Sequence, residues 1–172
     1  SLQAGTSHNL GQNFARAFDV TFQNKDNQEE LVYATSWGVS TRLVGAVIMA
    51  HGDDKGLRLP PKIAPHQVVM VPIAQNENGY LKVREFISPV LDEMRKGGIR
   101  IYEDSSDNSP GFKFNEWEMK GVPLRLEVGP RDIESGQAVL VRRDTGEKII
   151  LEKNMITEQA PRLLEEIQKG LF

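Results

Sequence analysis

Between residues 12 and 33 the large apolar side chains Phe14, Phe18, Val20 and Phe22 fall on even positions, the two-residue period of a strand with one buried face. A polar insert, "QNKDNQEE", separates them from "LVYAT", so the pattern predicts a hairpin with a loose loop. After "SWGVSTR" the period changes. In "TRLVGAVIMAHG" Leu43, Val47 and Ala50 share one helical face, and Gly52 stands where a helix stops. The stretch from Asp53 to Pro65 is rich in proline and charge, a composition suited to a linker or crossing loop, and a domain boundary is expected there, near residue 60.

Beyond that stretch, "QVVMVPI" is almost wholly apolar, the pattern of a short strand covered on both faces. In "LKVREFISPVLDEMRKGG" Val83, Phe86, Ile87, Val90, Leu91 and Met94 recur at helical spacing up to Gly97 and Gly98. Pro89 is expected either to break this helix or to open a second piece, since a mid-helix proline costs about 3 kcal/mol. A strand in "IRIYED" follows, then a loop from Ser105 to Gly111, a short helix through "FNEWEMKG", strands in "VPLRLEV", "QAVLVRR" and "EKIIL", and a closing helix in "ITEQAPRLLEEIQKGLF". The order β, α, β, α, β, β, β, α predicts a three-layer α/β domain with a mixed five-stranded sheet.

Composition narrows the function classes. An apolar content of 39% suffices for a core, and the 26% of charged residues, balanced in sign, argues against a disordered tail. A net charge of -3 argues against an unspecific polyanion binder but leaves room for a local basic patch. With no cysteine there is neither a disulfide framework nor a thiolate zinc site, and His8, His51 and His66 lack ligand spacing, so no metal site is expected. No run approaches the roughly 20 apolar residues of a membrane helix and no leader pattern opens the chain, so a cytoplasmic protein without membrane contact is expected. Since the sequence opens on Ser1, its natural start is expected upstream.

The usual phosphate loops, G-x-x-x-x-G-K-[ST] and G-x-G-x-x-G, are absent. Arg42, preceded by Gly38, Ser40 and Thr41 at a predicted helix start, suits a phosphate, and it equally suits a capping or paired arginine at a domain surface. His8, between hydroxyl and amide residues, fits a pocket wall or a turn that satisfies its own backbone. Trp37 fits a pocket floor or a core position. Asp53 and Asp54 could hold Mg²⁺ or solvate a turn. The segment "PGFKFNEWEMKGVPLRLEVGPRDI" interleaves Phe112, Phe114 and Trp117 with Lys113, Lys120, Arg125 and Arg131, and adds Glu118 and Asp132. Aromatics to stack bases, cations for phosphates and carboxylates for base edges suit unpaired RNA; an amphipathic helix and strand with solvated charges fits the same letters.

Four blocks taken together, "QAGTSHNLGQNFARAF", "SWGVSTRLVGAVIMAHGDDKGLRLPP", "SPGFKFNEWEMKGVPLRLEVGPRDI" and "VRRDTGEKI", resemble the signature blocks of the prolyl-tRNA synthetase family, in order and over essentially the whole chain. The resemblance implies that residues 1–60 are the end of a class II antiparallel-sheet catalytic domain, with its third signature motif, and that 61–172 are the anticodon-binding domain. It points to the branch shared by archaea, eukaryotes and some bacteria. Arg42 then matches the catalytic arginine that holds the terminal phosphate of ATP, with Gln3 and Ser40 as further nucleotide contacts. Thr6 and His8 match the pocket for the amino acid and the tRNA end, and Ser36, Trp37 and Gly38 the floor of the proline site. Phe114, Glu118, Arg125, Arg131 and Asp132 match positions that read the two guanines of the proline anticodon, Arg131 replacing the lysine of some relatives.

The family activates proline with ATP and Mg²⁺ and transfers it to tRNA(Pro) as a homodimer. Motifs 1 and 2 have no counterpart in these residues, so this chain by itself is expected to bind the anticodon, to hold no tight cofactor and to lack catalysis. The alternative is a stand-alone synthetase-derived module for protein interaction or regulation.

Overall fold

The computed structural model describes residues 3–74 and 76–171, and the chain divides into two compact units, Ser1–Ala50 and His51–Phe172. In the first, β1 (Gly5–Gly11) pairs antiparallel with β4 (Ala34–Val39); between them lie α1 (Asn13–Phe18) and a small hairpin of β2 (Thr21–Gln23) and β3 (Glu29–Leu31), and α2 (Arg42–His51) follows. The expected strand over 13–18 is a helix. Phe14 and Phe18 are an even number of residues apart, but four residues is also one helical turn, and their rings stack with centroids 6.3 Å apart. Asp19, in the left-handed region at φ 55°, ends that turn and releases the chain into β2. Among the described residues of this unit Ala15 alone is buried, whereas Trp37 is 78% exposed, so the core reading of Trp37 does not hold.

The second unit opens with a two-residue-per-strand hairpin, β5 (Gly52–Asp53) and β6 (Gly56–Leu57), followed by β7 (Val68–Pro72), α3 (Glu77–Lys96), β8 (Ile101–Glu103), α4 (Pro110–Met119), β9 (Leu124–Val128), α5 (Pro130–Ser135), β10 (Gln137–Arg142), β11 (Lys148–Glu152) and, after a 3₁₀ turn, α6 (Ile156–Gly170). The sheet order is β11-β10-β9-β7-β8, with β8, β7 and β9 parallel and β10 and β11 antiparallel, the mixed five-stranded sheet that the pattern predicts.

Strand periodicity divides the apolar residues between two layers. Val68, Met70, Leu124, Leu126 and Leu140 face α3 and α6, meeting Val83, Ile87, Leu91, Met94, Ile156 and Ile167. Val69 and Val71 point to the other side, onto Trp117 and Val122 beside α4. Each such side chain taken from water contributes about 1.5–3 kcal/mol, so this unit carries the core. The opposite faces of β9 therefore differ in kind: Leu124 and Leu126 go to the main core, while Arg125 and Glu127 share the α4 side with Val69 and Val71.

Two helix expectations in this unit change. Helix α3 runs unbroken through Pro89, which sits on the exposed face, where the Glu85 carbonyl left without a donor meets water. Helix α4 begins within the expected loop, because Ser109 caps it through Phe112 N–H (3.4 Å) and Pro110 takes the first position, where no donor is needed.

The expected linker around 53–65 is packed structure, and the boundary expected near residue 60 falls inside the second unit. Leu59 N–H donates to the Gly121 carbonyl at 3.1 Å, and Arg100 donates to the carbonyls of Ala64 and Pro61 at 3.0 and 2.9 Å. At Gly56 (φ 127°) an added Cβ would lie 2.4 Å from the Met119 carbonyl oxygen, and at Gly121 (φ 73°) 2.5 Å from the Leu57 backbone. Two backbones abut there that any side chain would separate.

Candidate nucleic-acid interface

Helix α4 has one face turned into the molecule and one toward the flank of β9. Lys113 and Trp117, one turn apart, face in: Lys113 is 4% exposed and Trp117 7%. Both close on Asp104. The Trp117 Nε1–H donates to its Oδ2 at 2.7 Å, Lys113 Nζ donates to its carbonyl at 3.1 Å and lies 3.6 Å from Oδ1, and Ser106 Oγ donates to Oδ1 at 2.6 Å. Burial pushes the Asp104 carboxyl up, and the Ser106 and Trp117 hydrogen bonds with the Lys113 charge outweigh it, leaving the group below its ordinary value. These two residues are therefore structural, neither stacking platform nor phosphate contact. Lys120 pairs with Glu116 at 2.7 Å and lies over the Trp117 ring, while Phe112 stays 56% exposed.

Phe114 and Glu118, also one turn apart, occupy the other face. The Arg125 guanidinium lies 4.4 Å from the Phe114 ring centroid, donates Nε–H to Glu127 Oε1 at 2.9 Å and Nη1–H to the Phe114 carbonyl at 3.4 Å. Glu127 is buried, and period two along β9 puts it on the same face as Arg125. Nη2 also lies 2.9 Å from Glu127 Oε1, so of its five N–H groups Arg125 keeps one on each terminal nitrogen for a ligand.

Glu118 and Arg125 line one depression of about 180 Å³, whose charged walls also include Lys55, Arg142, Arg143 and Lys148. Glu118 pairs with Lys55 at 3.3 Å, Arg142 with Asp144 and Glu166, and Arg143 with Asp53. These wall residues were missed individually, although three of them lie in or at the quoted block "VRRDTGEKI". Arg131 and Asp132 do not line this depression. They belong to α5 at the far end of β9, where Asp132 Oδ2 accepts the Gly129 N–H at 2.7 Å as a helix cap and Arg131 is exposed.

Asp53 decides between its two sequence readings. Its carboxylate accepts Arg143 Nη1 and Nη2 at 2.9 and 2.7 Å and the Lys55 N–H at 2.9 Å, so it serves a turn and an ion pair. Among the described residues no cluster of three histidine or acidic side chains could hold a metal, and no helix is long and apolar enough to cross a membrane.

In the first unit, register sorts the predicted residues. Thr6 faces Gly38 and His8 faces Ser36 across the ribbon, which puts these four on one face; Ser7 faces Trp37 on the other. Trp37 is thus separated from Ser36, with which the resemblance grouped it. Gln3, Thr6, Gly38, Ser40 and Arg42 surround a shallow depression of about 450 Å³. Arg42 is exposed at the start of α2, its N–H 3.4 Å from Ser40 Oγ.

Residues 67–166, more than half of the chain, match the anticodon binding domain family. The chain belongs to this family. Over its full length it is 53% identical to a proline-tRNA ligase of Symbiobacterium thermophilum, 54% to one of Clostridium novyi and, over 174 aligned positions, 55% to one of Prosthecochloris aestuarii. It spans 35% of the length of the first two of these relatives and 36% of the third. The anticodon-binding domain accounts for the mixed sheet and for α4, and the depression beside Glu118 and Arg125 lies within the matched segment except for Lys55.

Proposed function

We propose that the chain reads the anticodon of tRNA(Pro) as part of a proline-tRNA ligase. The carrying observation is the shared depression of Glu118 and Arg125, with Arg125 laid on Phe114 and one N–H on each terminal nitrogen left over after Glu127 and the Phe114 carbonyl are served. A guanidinium fork matches guanine O6 and N7, a carboxylate accepts from guanine N1 and N2, and an aromatic ring beneath holds the fork in plane. Arg131 and Asp132 would act from the far end of β9, on a different nucleotide from the one at Glu118.

Residues 1–60 would supply walls of the ligase centre that ATP with Mg²⁺ and proline occupy in the whole enzyme. The chemistry of the donors fits: Arg42, the catalytic candidate, offers a cation at a helix start for a terminal phosphate, with Gln3 and Ser40 as polar contacts around the same depression. Thr6, His8, Ser36 and Gly38 would line the neighbouring face for proline and the tRNA end, and Trp37 would bound the opposite one. The homodimer of the family would belong to the whole enzyme. This chain by itself would bind tRNA and not aminoacylate it.

The test is a titration, at fixed salt, of the chain with the tRNA(Pro) anticodon stem-loop against copies with each guanine replaced. We expect a preference of about 1–3 kcal/mol per guanine. Equal binding to all loops removes the reading.

A further inference from the structure

We infer that the β5–β6 turn, Asp53 to Lys55, together with Arg143, positions Glu118 for base reading. The inference rests on the anticodon reading and adds three residues to it.

The polar contacts leave Glu118 and return to it. Its main-chain carbonyl, in the last turn of α4, accepts Arg143 Nε–H at 2.7 Å. The two terminal nitrogens of the same guanidinium grip Asp53. Asp53 Oδ1 also accepts the Lys55 N–H, which fixes the turn, and Lys55 Nζ lies 3.3 Å from the Glu118 carboxylate. Arg143 and the turn, joined through Asp53, thus hold the backbone and the side chain of a single residue. A helix C-terminus leaves its last carbonyls without intrahelical donors, so a donor such as Arg143 sets where that turn lies.

The fit leaves little slack. Gly56 against Met119 and Gly121 against Leu57 bring hairpin and helix end together with no room for a Cβ, so the turn cannot slide without carrying α4 with it. Arg143 is buried, and Asp53 neutralises it. A carboxylate that must meet two adjacent guanine donors tolerates little misplacement, and a site about 1 Å too loose loses its selectivity. Lys55 is the exposed member, a cation that holds the Glu118 carboxylate in the free protein and yields it when a base arrives.

Residues 1–172 carrying Asp53→Ala, Lys55→Ala and Lys55→Arg are titrated with the same stem-loops, and their urea midpoints are recorded. For Asp53→Ala we expect the affinity for the loop lacking the Glu118-read guanine to stay within about twofold, while the preference for the guanine loop falls about tenfold, one good base contact. Lys55→Ala lowers that preference too, and Lys55→Arg restores it. Should Asp53→Ala fail to fold, the Lys55 pair carries the test, since that side chain is exposed. An unchanged preference in Asp53→Ala and Lys55→Ala overturns the inference, as does an equal loss toward every loop, the mark of a purely structural role. A native chain with no guanine preference removes the anticodon reading itself, and this inference with it.

Discussion

The Arg125 guanidinium stands over the Phe114 ring, 4.4 Å from its centroid, and is held there by the buried carboxylate of Glu127. An arginine fixed on two sides has lost most of its rotamer freedom before a ligand arrives, so less entropy is lost when it binds. Lysine, a point charge without the planar fork, would keep the attraction and lose the geometry.

We therefore expect Arg125→Lys to retain salt-dependent binding to the anticodon stem-loop and to lose about 1–3 kcal/mol of preference at one guanine. The readout is the ratio of dissociation constants for loops with and without that guanine. A ratio equal to that of the native chain would falsify the fork.

Removing Lys113 leaves Asp104 buried beside an apolar layer with its cation gone. Lys113→Met is expected to cost about 3 kcal/mol, the lower end for a broken buried pair, because Ser106 and Trp117 still donate to the carboxylate. The double variant Lys113→Met with Asp104→Asn should recover part of that loss. Urea unfolding of the three chains measures it, and a single-variant cost below about 1 kcal/mol would show that the pair lies in a wetter place than its burial indicates.

The hydrogen bonds from Arg143 hold the Asp53 carboxyl well below the ordinary carboxylate range. A depressed acid contributes stability that is complete above its unfolded value of about 4 and is lost as pH falls toward the folded one. The stability gap between the native chain and Asp53→Asn should accordingly be constant from pH 7 to about 5 and narrow below pH 4. Urea midpoints at pH 7, 5 and 3 decide it. A gap that widens with acid contradicts the sign. Asp53 is about a third exposed, so solvent screening keeps the gap modest.

Local pattern sufficed for what depends on neighbours in the chain. Five strands, the long helix from Leu81 onward and the closing helix follow from periods of two and 3.6, since a side chain's face is set by its own backbone. The motif blocks put Phe114, Glu118 and Arg125 in one stretch of chain, and the fold sets Arg125 against Phe114 and beside Glu118. Pattern failed where two periods coincide, as at Phe14 and Phe18, and where Pro89 could be tolerated only because its face of α3 meets water.

What only the tertiary structure decided is which charges face each other. Lys113 and Arg125 both read as cations beside aromatics, yet one closes on Asp104 inside the fold and the other reaches the depression. Asp53 finds Arg143 across 90 positions of chain, and Glu118 finds Lys55, because β5–β6 packs against the end of α4. Periodicity gives no information about such distant pairs. Their partners are chosen by where the sheet brings the chain together, where desolvation makes an unpaired charge costly.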